Sequence, residues 1–580
     1  MKKSNLYKAV FFTSALMSIL TLTGCPNPAN IPAGPTTVTV EESTNEQNIV
    51  VDQQYDLSAK TGKRAFLVVL NKNNEQKQAF IPVSNSSVND ARSLTPSSAE
   101  EIPEIVSTQN TEQYTHIPFI PPEIDQVLTP ASQNDSRSLL ADTDTTTPVT
   151  YTLGDTKTFY GATTSNTTSD YAADSVLKVI GNHCYVWYKA KSGITVTDTQ
   201  LQTLANTFDA IYEKETYIFG NDYMLDSEKP RYWANNIINI SSEQKIHIIV
   251  YDLYDDYTSG QDSGTFGYFW SLDMNKNDAS DTLKSNKCEC LHIDSHFLEI
   301  ATSKVYSTVG HEFQHLLHFV NKTVKVGLYQ ASDGYYYWKN ESSTWFNEML
   351  SMVCEDLMLT QLGLPVSAGP QSRLNQFNQA GCHSTGFGTW QSGNNVYNSY
   401  ANAYAFGAFL LRNFEIDYIK TLAQNTYVDE EAVTQALVSS GASLQSFDAA
   451  LEKFYNVILN PSDSSTYSLN HSVTKTYNVG GTTGSVTFTC AAIDLSTYPT
   501  VSASNITAEN AVYYYGASSG SDYYGPMILN SNYRYNNIGA YGIYVIHKGI
   551  VGTDLNTSYK LESSDTGSDN GVTYKLIFKD

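Results

Sequence analysis

The sequence predicts an α+β protein in which a β-sheet precedes a helical segment and a C-terminal region folds as a β-sandwich. Short apolar or alternating runs, which are typical of strands, recur between residues 150 and 300. Three helical patterns follow, at 303–320, 343–362 and 398–425. From about residue 465 alternating runs return, separated by Gly, Ser, Asn and Asp turns. Because 580 residues exceed what one compact core accommodates, we expect several domains.

The first 24 residues have the features of a signal peptide. Three lysines give a positive start, and the apolar run that follows, from Ala9 to Leu22, is too short to span a bilayer. The run ends in Leu-Thr-Gly-Cys, which resembles the lipobox of bacterial lipoproteins. This resemblance implies cleavage before Cys25, lipidation of Cys25 and anchoring in the bacterial cell envelope, on its periplasmic or cell-surface face. The alternative is an ordinary secretory signal in which Cys25 occurs by chance.

The net charge of the chain is −24, and loss of the three signal-peptide lysines makes the mature protein more acidic still. Such a chain repels nucleic acids and anionic lipid head groups, so we expect no nucleic-acid partner. Six cysteines remain after Cys25, an even number that permits disulfides in an exported chain, but their spacing predicts no pairing. We expect a monomer.

Residues 25–150 are predicted to form a low-complexity tether, because Pro, Ser, Thr and acidic residues dominate this region. One island at 64–83 looks like two strands around a turn. A small domain and a propeptide remain open alternatives to a spacer with a short β element. We assign residues 151–462 to the main domain and 463–580 to the C-terminal β-rich domain.

The stretch "GHEFQHLLHF" begins at residue 310 and contains the pattern H-E-x-x-H. In a helix over 303–320, His311 and His315 lie one turn apart on one face, so their imidazoles can converge on one Zn²⁺. Glu312 lies beside them, where a carboxylate can activate a metal-bound water. The simpler interpretation is a core helix that contains two histidines by chance.

A catalytic zinc needs a third protein ligand. The metzincin pattern requires Gly at 318 and His at 321, and the chain has His318 and Asn321 there. His318 also lies about 10 Å along the helix from His311, so we expect it to pack rather than to bind metal. A carboxylate from the next helix is the other solution. Glu348 lies one turn into that helix, and Glu341, which precedes it, is the competing ligand.

HEFQH followed by "WFNEMLS" resembles the gluzincin metallopeptidases, and the resemblance to the hyicolysin family of bacterial metallopeptidases is closer. "YDLYDDY", "FGYFWSLD" and "CECLHIDS" are similar to that family's upstream strands, and the resemblance covers roughly residues 175–460. It implies a gluzincin-type domain with a β-sheet upper part and a helical active-site part. In that domain His311, His315 and Glu348 would bind zinc and Glu312 would act as general base. Met349 departs from the family, which often has Gly there.

The tetrahedral transition state needs a donor for its oxyanion. The segment Tyr404-x-x-Gly407 is similar to the transition-state tyrosine segment of gluzincin aminopeptidases. We therefore expect Tyr404 to be a catalytic residue, with Tyr400 and His383 as rivals.

A second group of metal-binding residue types precedes the H-E-x-x-H helix. "CECLHIDSH" places Cys288, Cys290 and His292 on one face of a predicted strand, with His296 beyond. This could indicate a second zinc site, but the spacing fits no common structural zinc module, so we favour a structural role. We expect this strand to be the sheet edge that pairs with an extended substrate.

Together these features predict a membrane-anchored, exported zinc metalloendopeptidase that acts on protein or peptide substrates. An aminopeptidase is disfavoured, because the G-x-M-E-N signature of that group is missing from the sequence. The alternative from another class is a surface adhesin or binding lipoprotein with a catalytically degenerate peptidase core.

Overall fold

The computed structural model describes residues 37–78, 115–116, 149–224, 237–238, 244–330, 336–480, 484–502, 513–514, 522–529, 537–561 and 571–580. Within them the predicted mixture of sheets and helices is confirmed. The signal peptide and Cys25 lie outside the described residues. Among the described helices, none combines the length and the apolar composition needed to cross a membrane.

A six-stranded mixed sheet forms the first layer of the main domain. Its strands, in spatial order, are Gly267–Tyr268, Cys290–Asp294, Ile246–Tyr251, Cys184–Tyr188, Thr168–Ile180 and Thr156–Ala162. The second, third and fourth of these are parallel to one another, and the outer pairings are antiparallel. Every residue of the third strand, Ile246–Tyr251, is buried, as expected for a parallel strand that is covered on both faces.

Helices cover one face of this sheet, and aromatic residues cover the other. Leu291 and Ile293 point into the core shared with the helices. Their strand neighbours Cys290 and His292 point to the opposite face, where Cys290 joins a cluster that includes Trp187. Alternate side chains of this one strand therefore pack into two different clusters, one on each face of the sheet.

Three helices carry the residues of interest. They are the HEFQH helix (Thr302–His318), the Glu348 helix (Thr344–Leu362) and the Tyr400 helix (Val396–Gln424). All three lie within two residues of their predicted bounds. The remaining α-helices among the described residues are Asp198–Phe219, Ser295–Ile300, Leu374–Phe377, Ala380–Thr385, Asp429–Ser439, Phe447–Phe454 and Asn456–Leu459.

The chain between the first two of these helices reverses direction. The HEFQH helix continues into a π-helical turn, Phe319–Val324. Strands Leu328–Gln330 and Tyr336–Trp338 then pair antiparallel as a hairpin. Because the π-helical turn and the hairpin reverse the chain, the Glu348 helix packs along the HEFQH helix.

A four-stranded sheet joins the two ends of the chain. Its order is Glu46–Ile49, Val572–Lys579, Arg64–Asn71 and Ile543–Ile550, and all neighbours are antiparallel. Arg64–Asn71 thus lies between two C-terminal strands. The β element predicted at 64–83 therefore begins with a strand whose residues 65–71 are all buried, and the tether over residues 25–150 stays a prediction.

The other strands form small ladders. They are Val38–Thr39, Gln54–Asp56 and Ser558–Lys560 in one sheet, and the pairs Lys77–Gln78 with Asn537–Ile538, Thr115–His116 with Ser263–Gly264, Val473–Gly480 with Gly484–Cys490, Pro499–Ser502 with Asp522–Tyr524, and Tyr513–Tyr514 with Met527–Ile528. The C-terminal region is rich in strands, and the β-sandwich itself stays a prediction.

Candidate metal centre

The HEFQH helix is held in the core by its apolar face. Val305, Val309 and Phe313 are fully buried, and the ring of Phe313 lies 4.9 Å from that of Phe208 on the helix Asp198–Phe219. At Gly310 a Cβ atom would lie 2.8 Å from a carboxylate oxygen of Glu215, so the glycine lets this helix approach the Glu215 side chain closely. This packing turns the two histidines of the motif towards the Glu348 helix.

Three side chains converge between the two helices. His311 Nε2 lies 3.1 Å from Glu348 Oε2, and His315 Nε2 lies 3.7 Å from the same oxygen. All three donor atoms are within 4.8 Å of one another. Ligand atoms around a tetrahedral zinc are separated by about 3.4 Å when they are His nitrogens and carboxylate oxygens. The set therefore fits one zinc ion, with a fourth position left for water.

Outer contacts fix both imidazole rings. His311 Nδ1 donates to Glu355 Oε1 over 2.7 Å. His315 Nδ1 lies 3.0 Å from both Asn347 Oδ1 and Ser351 Oγ. These contacts place a proton on each Nδ1 and leave the Nε2 lone pairs for a metal, an arrangement that is general among zinc sites.

Sequence reasoning missed Glu355. Ser307 Oγ donates to its second oxygen over 3.2 Å, and an Arg373 nitrogen lies 3.7 Å from its first. The signal was present in the sequence, because Glu355 follows Glu348 by seven residues and so lies on the same helix face two turns later.

The charges of the site are strongly coupled. Burial lowers the pKa of His311, but hydrogen bonds and charges from Glu348 and Glu355 outweigh it and raise that pKa to about 10. Burial likewise raises the pKa of Glu348, yet His315, His311 and the hydroxyl of Tyr400 bring it down to about 2. Zinc binding must therefore displace a proton from His311.

Glu312 is positioned by the sheet. Its Oε2 accepts the backbone N–H of Phe269 over 2.8 Å. Burial raises the pKa of Glu312 to about 8, against an opposing effect from His311. One carboxylate oxygen is thus fixed to the strand segment that begins at Gly267, and the other is available for proton transfer.

Tyr404 does not point to this centre, which corrects its predicted position. Its hydroxyl donates to Asp356 Oδ2 over 3.0 Å, and Arg412 binds the same oxygen at 2.7 Å. Asp356 lies two turns beyond Glu348 on the neighbouring helix. The Tyr404 hydroxyl therefore hydrogen-bonds the buried Asp356–Arg412 ion pair rather than Glu348.

Tyr400, one turn earlier on the same helix, contacts the ligand cluster instead. It is 3% exposed, and its hydroxyl hydrogen-bonds Glu348. Burial, together with the nearby negative charge of Glu348, raises the pKa of Tyr400 well above its usual value. The guanidinium of Arg373 lies 5.5 Å from the centre of the ring. The other rival, His383, packs on Phe377 with 4.7 Å between ring centres.

The remaining candidates lie outside the cluster. His318 is buried against Phe346, and among the described residues nothing hydrogen-bonds its ring nitrogens. Glu341 is exposed and precedes the Glu348 helix. Met349 is fully buried, and a Cβ atom at Gly407 would lie 2.7 Å from its Cγ. Gly407 thus permits close approach of the Glu348 and Tyr400 helices.

The sheet edge nearest Glu312 is Gly267–Tyr268, and Cys290–Asp294 lies one position inside it. This corrects the prediction that the latter strand forms the edge. Just before the edge strand, Ser263–Gly264 pairs in parallel with Thr115–His116. The N–H of Phe266 also donates to His116 Nδ1 over 3.1 Å. Extended backbone from elsewhere in the chain therefore already pairs along this segment.

Comparisons with known proteins agree with this geometry. The sequence model of the peptidase M30 family, the hyicolysin family, matches residues 190–509. Neutral metalloprotease ShpI of Staphylococcus hyicus is 27% identical to this chain over 233 residues. The similarity covers 37% of this chain and 48% of ShpI, so the chain spans about half the length of this relative.

Proposed function

The chain belongs to the peptidase M30 family, and on that premise we propose that it is a zinc metalloendopeptidase that hydrolyses protein or peptide substrates. One observation carries the proposal. The Nε2 atoms of His311 and His315 and a carboxylate oxygen of Glu348 converge within 4.8 Å, with the carboxylate of Glu312 on the same helix. Two imidazoles, one carboxylate and an adjacent base are the donor set of a hydrolytic zinc site.

When bound, Zn²⁺ acidifies a water molecule and polarises the scissile carbonyl group. Glu312 receives the proton of that water and passes it to the leaving amine. Its Oε2 is held by the N–H of Phe269, so the carboxylate keeps one orientation through both transfers. Glu355 and Asn347 hold the imidazole rings in the tautomer that presents Nε2.

We assign the oxyanion donor to Tyr400. Its hydroxyl contacts Glu348 and therefore lies beside the position that the reacting carbonyl must occupy. Because its pKa is raised well above the usual value, the hydroxyl remains protonated at neutral pH and can donate a hydrogen bond. The nearby Arg373 guanidinium adds positive potential on the same side.

The substrate backbone is expected to pair with the segment from Ser263 to Tyr268. Thr115–His116 pairs with the first part of this segment, which shows that its backbone takes up an added strand; a substrate would pair with Gly267–Tyr268 or displace Thr115–His116. The wider proposal includes a gluzincin-type layout of sheet and helices, a monomeric state and a lipid anchor at Cys25 in the bacterial cell envelope.

The test is casein hydrolysis measured together with bound zinc. We expect one catalytic zinc per chain at this centre and loss of activity in Glu312→Gln with that zinc retained. Glu341→Gln, which changes an exposed carboxylate before the Glu348 helix, is the matched control and should remain active. A wild-type protein that binds zinc between His311, His315 and Glu348 but cleaves neither casein nor a peptide library would overturn the proposal. A protein that is inert and cannot bind metal would instead favour the binding-lipoprotein alternative.

A further inference from the structure

We propose that Asp273, Cys288, Cys290 and His292 form a second zinc site, which is structural and separate from the His311–His315–Glu348 centre. The two sites lie on opposite faces of the six-stranded sheet, since Cys290 belongs to the aromatic cluster and its neighbour Leu291 to the core that contains the HEFQH helix. The proposal does not depend on the proposed peptidase activity.

The donor atoms have the separations that a metal requires. His292 Nε2 lies 2.9 Å from Asp273 Oδ2 and 3.8 Å from Cys290 Sγ. These three atoms all lie within 4.8 Å of one another. Around a tetrahedral zinc, a thiolate sulfur and an imidazole nitrogen are about 3.6 Å apart. The His292–Asp273 distance is close to the 3.1 Å between the corresponding atoms of His311 and Glu348.

Cys288 supplies the fourth ligand. Its thiol interacts directly with that of Cys290. Its backbone N–H donates to the carbonyl of Asp273 over 3.0 Å, which ties the residues before the strand to the turn Ser271–Met274. The thiol of Cys288 thus lies beside that of Cys290, one of the three donors that converge, and all four residues are at most 8% exposed.

The contacts around these donors repeat the pattern of the first centre. The Tyr251 hydroxyl lies 3.1 Å from His292 Nδ1, so an Nδ1 proton leaves Nε2 free for a metal. Asn286 Nδ2 donates to Asp273 Oδ1 over 2.7 Å and lies 3.9 Å from Cys290 Sγ. The ring of Tyr268 stacks on His292 at 4.3 Å. His292, Asp273 and Cys290 therefore each contact a second group.

The local charge also favours a metal with two thiolates. Two thiolates, one carboxylate and Zn²⁺ together carry one negative charge, which a buried site must balance. Lys157 Nζ lies 3.6 Å from Cys288 Sγ and 4.6 Å from the centre of the Phe159 ring. The ammonium group therefore neutralises the complex and is positioned by the sheet to do so.

Sequence spacing could not reveal this site, because Asp273 is 15 residues before Cys288 and belongs to no motif with it. The structure records free thiols at both cysteines. A hydrogen-bonded cluster without metal and a Cys288–Cys290 disulfide are the competing states, and the experiment distinguishes both from a zinc site.

The experiment measures zinc per chain in the exported full-length protein and in a His315→Ala/Glu348→Ala variant that lacks the first site. We expect two zinc ions in the wild type and one in the double variant. Cobalt exchanged into the double variant should give a near-ultraviolet thiolate-to-metal charge-transfer band. Adding Cys290→Ser should abolish the band, and adding Cys184→Ser, a buried cysteine on a neighbouring region of the sheet, should preserve it.

The double variant that binds no zinc and gives no cobalt band would overturn the proposal. So would mass spectrometry after alkylation that shows a Cys288–Cys290 disulfide in the isolated protein. If Cys290→Ser fails to fold, Asp273→Asn is the second probe, and the cobalt spectrum of the double variant alone still decides the result.

Discussion

His311 lies between two carboxylates, since its Nδ1 donates to Glu355 at 2.7 Å while its Nε2 lies 3.1 Å from Glu348. Only the second carboxylate is placed to share a metal with the ring. The first orients the imidazole and increases its basicity as a ligand. Glu355 would therefore influence a bound metal only through its hydrogen bond with His311.

Glu355→Gln should weaken zinc binding by about 10–100-fold, because an amide orients His311 but does not add negative charge to it. Competition with a fluorescent chelator measures this change. Activity at saturating zinc should recover most of its wild-type value, which distinguishes a positioning role from a direct one. Unchanged zinc affinity in Glu355→Gln, with Glu341→Gln as reference, would contradict the prediction.

Tyr400→Phe should reduce kcat by about 10²–10³-fold with little change in KM or zinc content, since it removes a hydrogen bond made mainly in the transition state. Steady-state kinetics on a fluorogenic peptide, with metal analysis, measures both. Tyr404→Phe is the matched control one turn away. It should retain kcat and lose about 1–3 kcal/mol of stability, because Asp356 loses a buried donor. The opposite pattern would return the catalytic role to Tyr404.

Gly407→Ala should destabilise the protein by about 1–3 kcal/mol, because the new methyl group would lie 2.7 Å from Met349 Cγ and 2.8 Å from Val353 Cγ2. Chemical denaturation measures the loss. In a Met349→Ala/Val353→Ala background the same substitution should be much less harmful, since both close side-chain contacts are then removed. Additive effects of Gly407→Ala and this double change would show that the helices do not meet at this point.

Lys548 gives a pH-dependent prediction. Burial lowers its pKa from 10.5 to about 8, so between those values the folded state binds fewer protons than the unfolded state. The contribution of Lys548 to the free energy of unfolding therefore rises with pH across that window. Below pH 8 the cost of burying its charged ammonium group is fully present. Any gain in stability of Lys548→Met over the wild type should therefore shrink by on the order of 2 kcal/mol between pH 8 and pH 10.5.

Denaturation of wild type and Lys548→Met between pH 7 and 10 checks this difference. A gain that is constant with pH would mean that packing of the methionine, rather than removal of a buried charge, causes it.

Local patterns predicted which side chains would come together between the two helices. The i, i+4 spacing of His311 and His315 and the helical start before Glu348 are short-range features, and the structure brings these residues together. The sequence could not distinguish Tyr400 from Tyr404, because the two residues share a helix face. Which of them reaches Glu348 depends on how two helices align along their axes, and that alignment is set by contacts such as Met349 with Gly407.

Sequence patterns could not predict which distant parts of the chain would pair. The apolar run Arg64–Asn71 predicted a strand, but no nearby pattern indicated that its partners would be Ile543–Ile550 and Val572–Lys579. The convergence of Asp273 with Cys290 and His292 is a similar case, because a turn and a strand are joined only through the folded sheet. The placement of Gly267–Tyr268 outside Cys290–Asp294 likewise depends on the sheet order.

The position of Arg64–Asn71 between Ile543–Ile550 and Val572–Lys579 has a consequence for how the molecule is made and kept together. Arg64–Asn71 has no partner in this sheet until Ile543–Ile550 has been synthesised, and the sheet is complete only after Val572–Lys579 has been added. Once formed, two ladders of hydrogen bonds bind the N-terminal segment to the C-terminal strands. A protease that cuts between residues 78 and 149 would therefore nick the chain without shedding either piece.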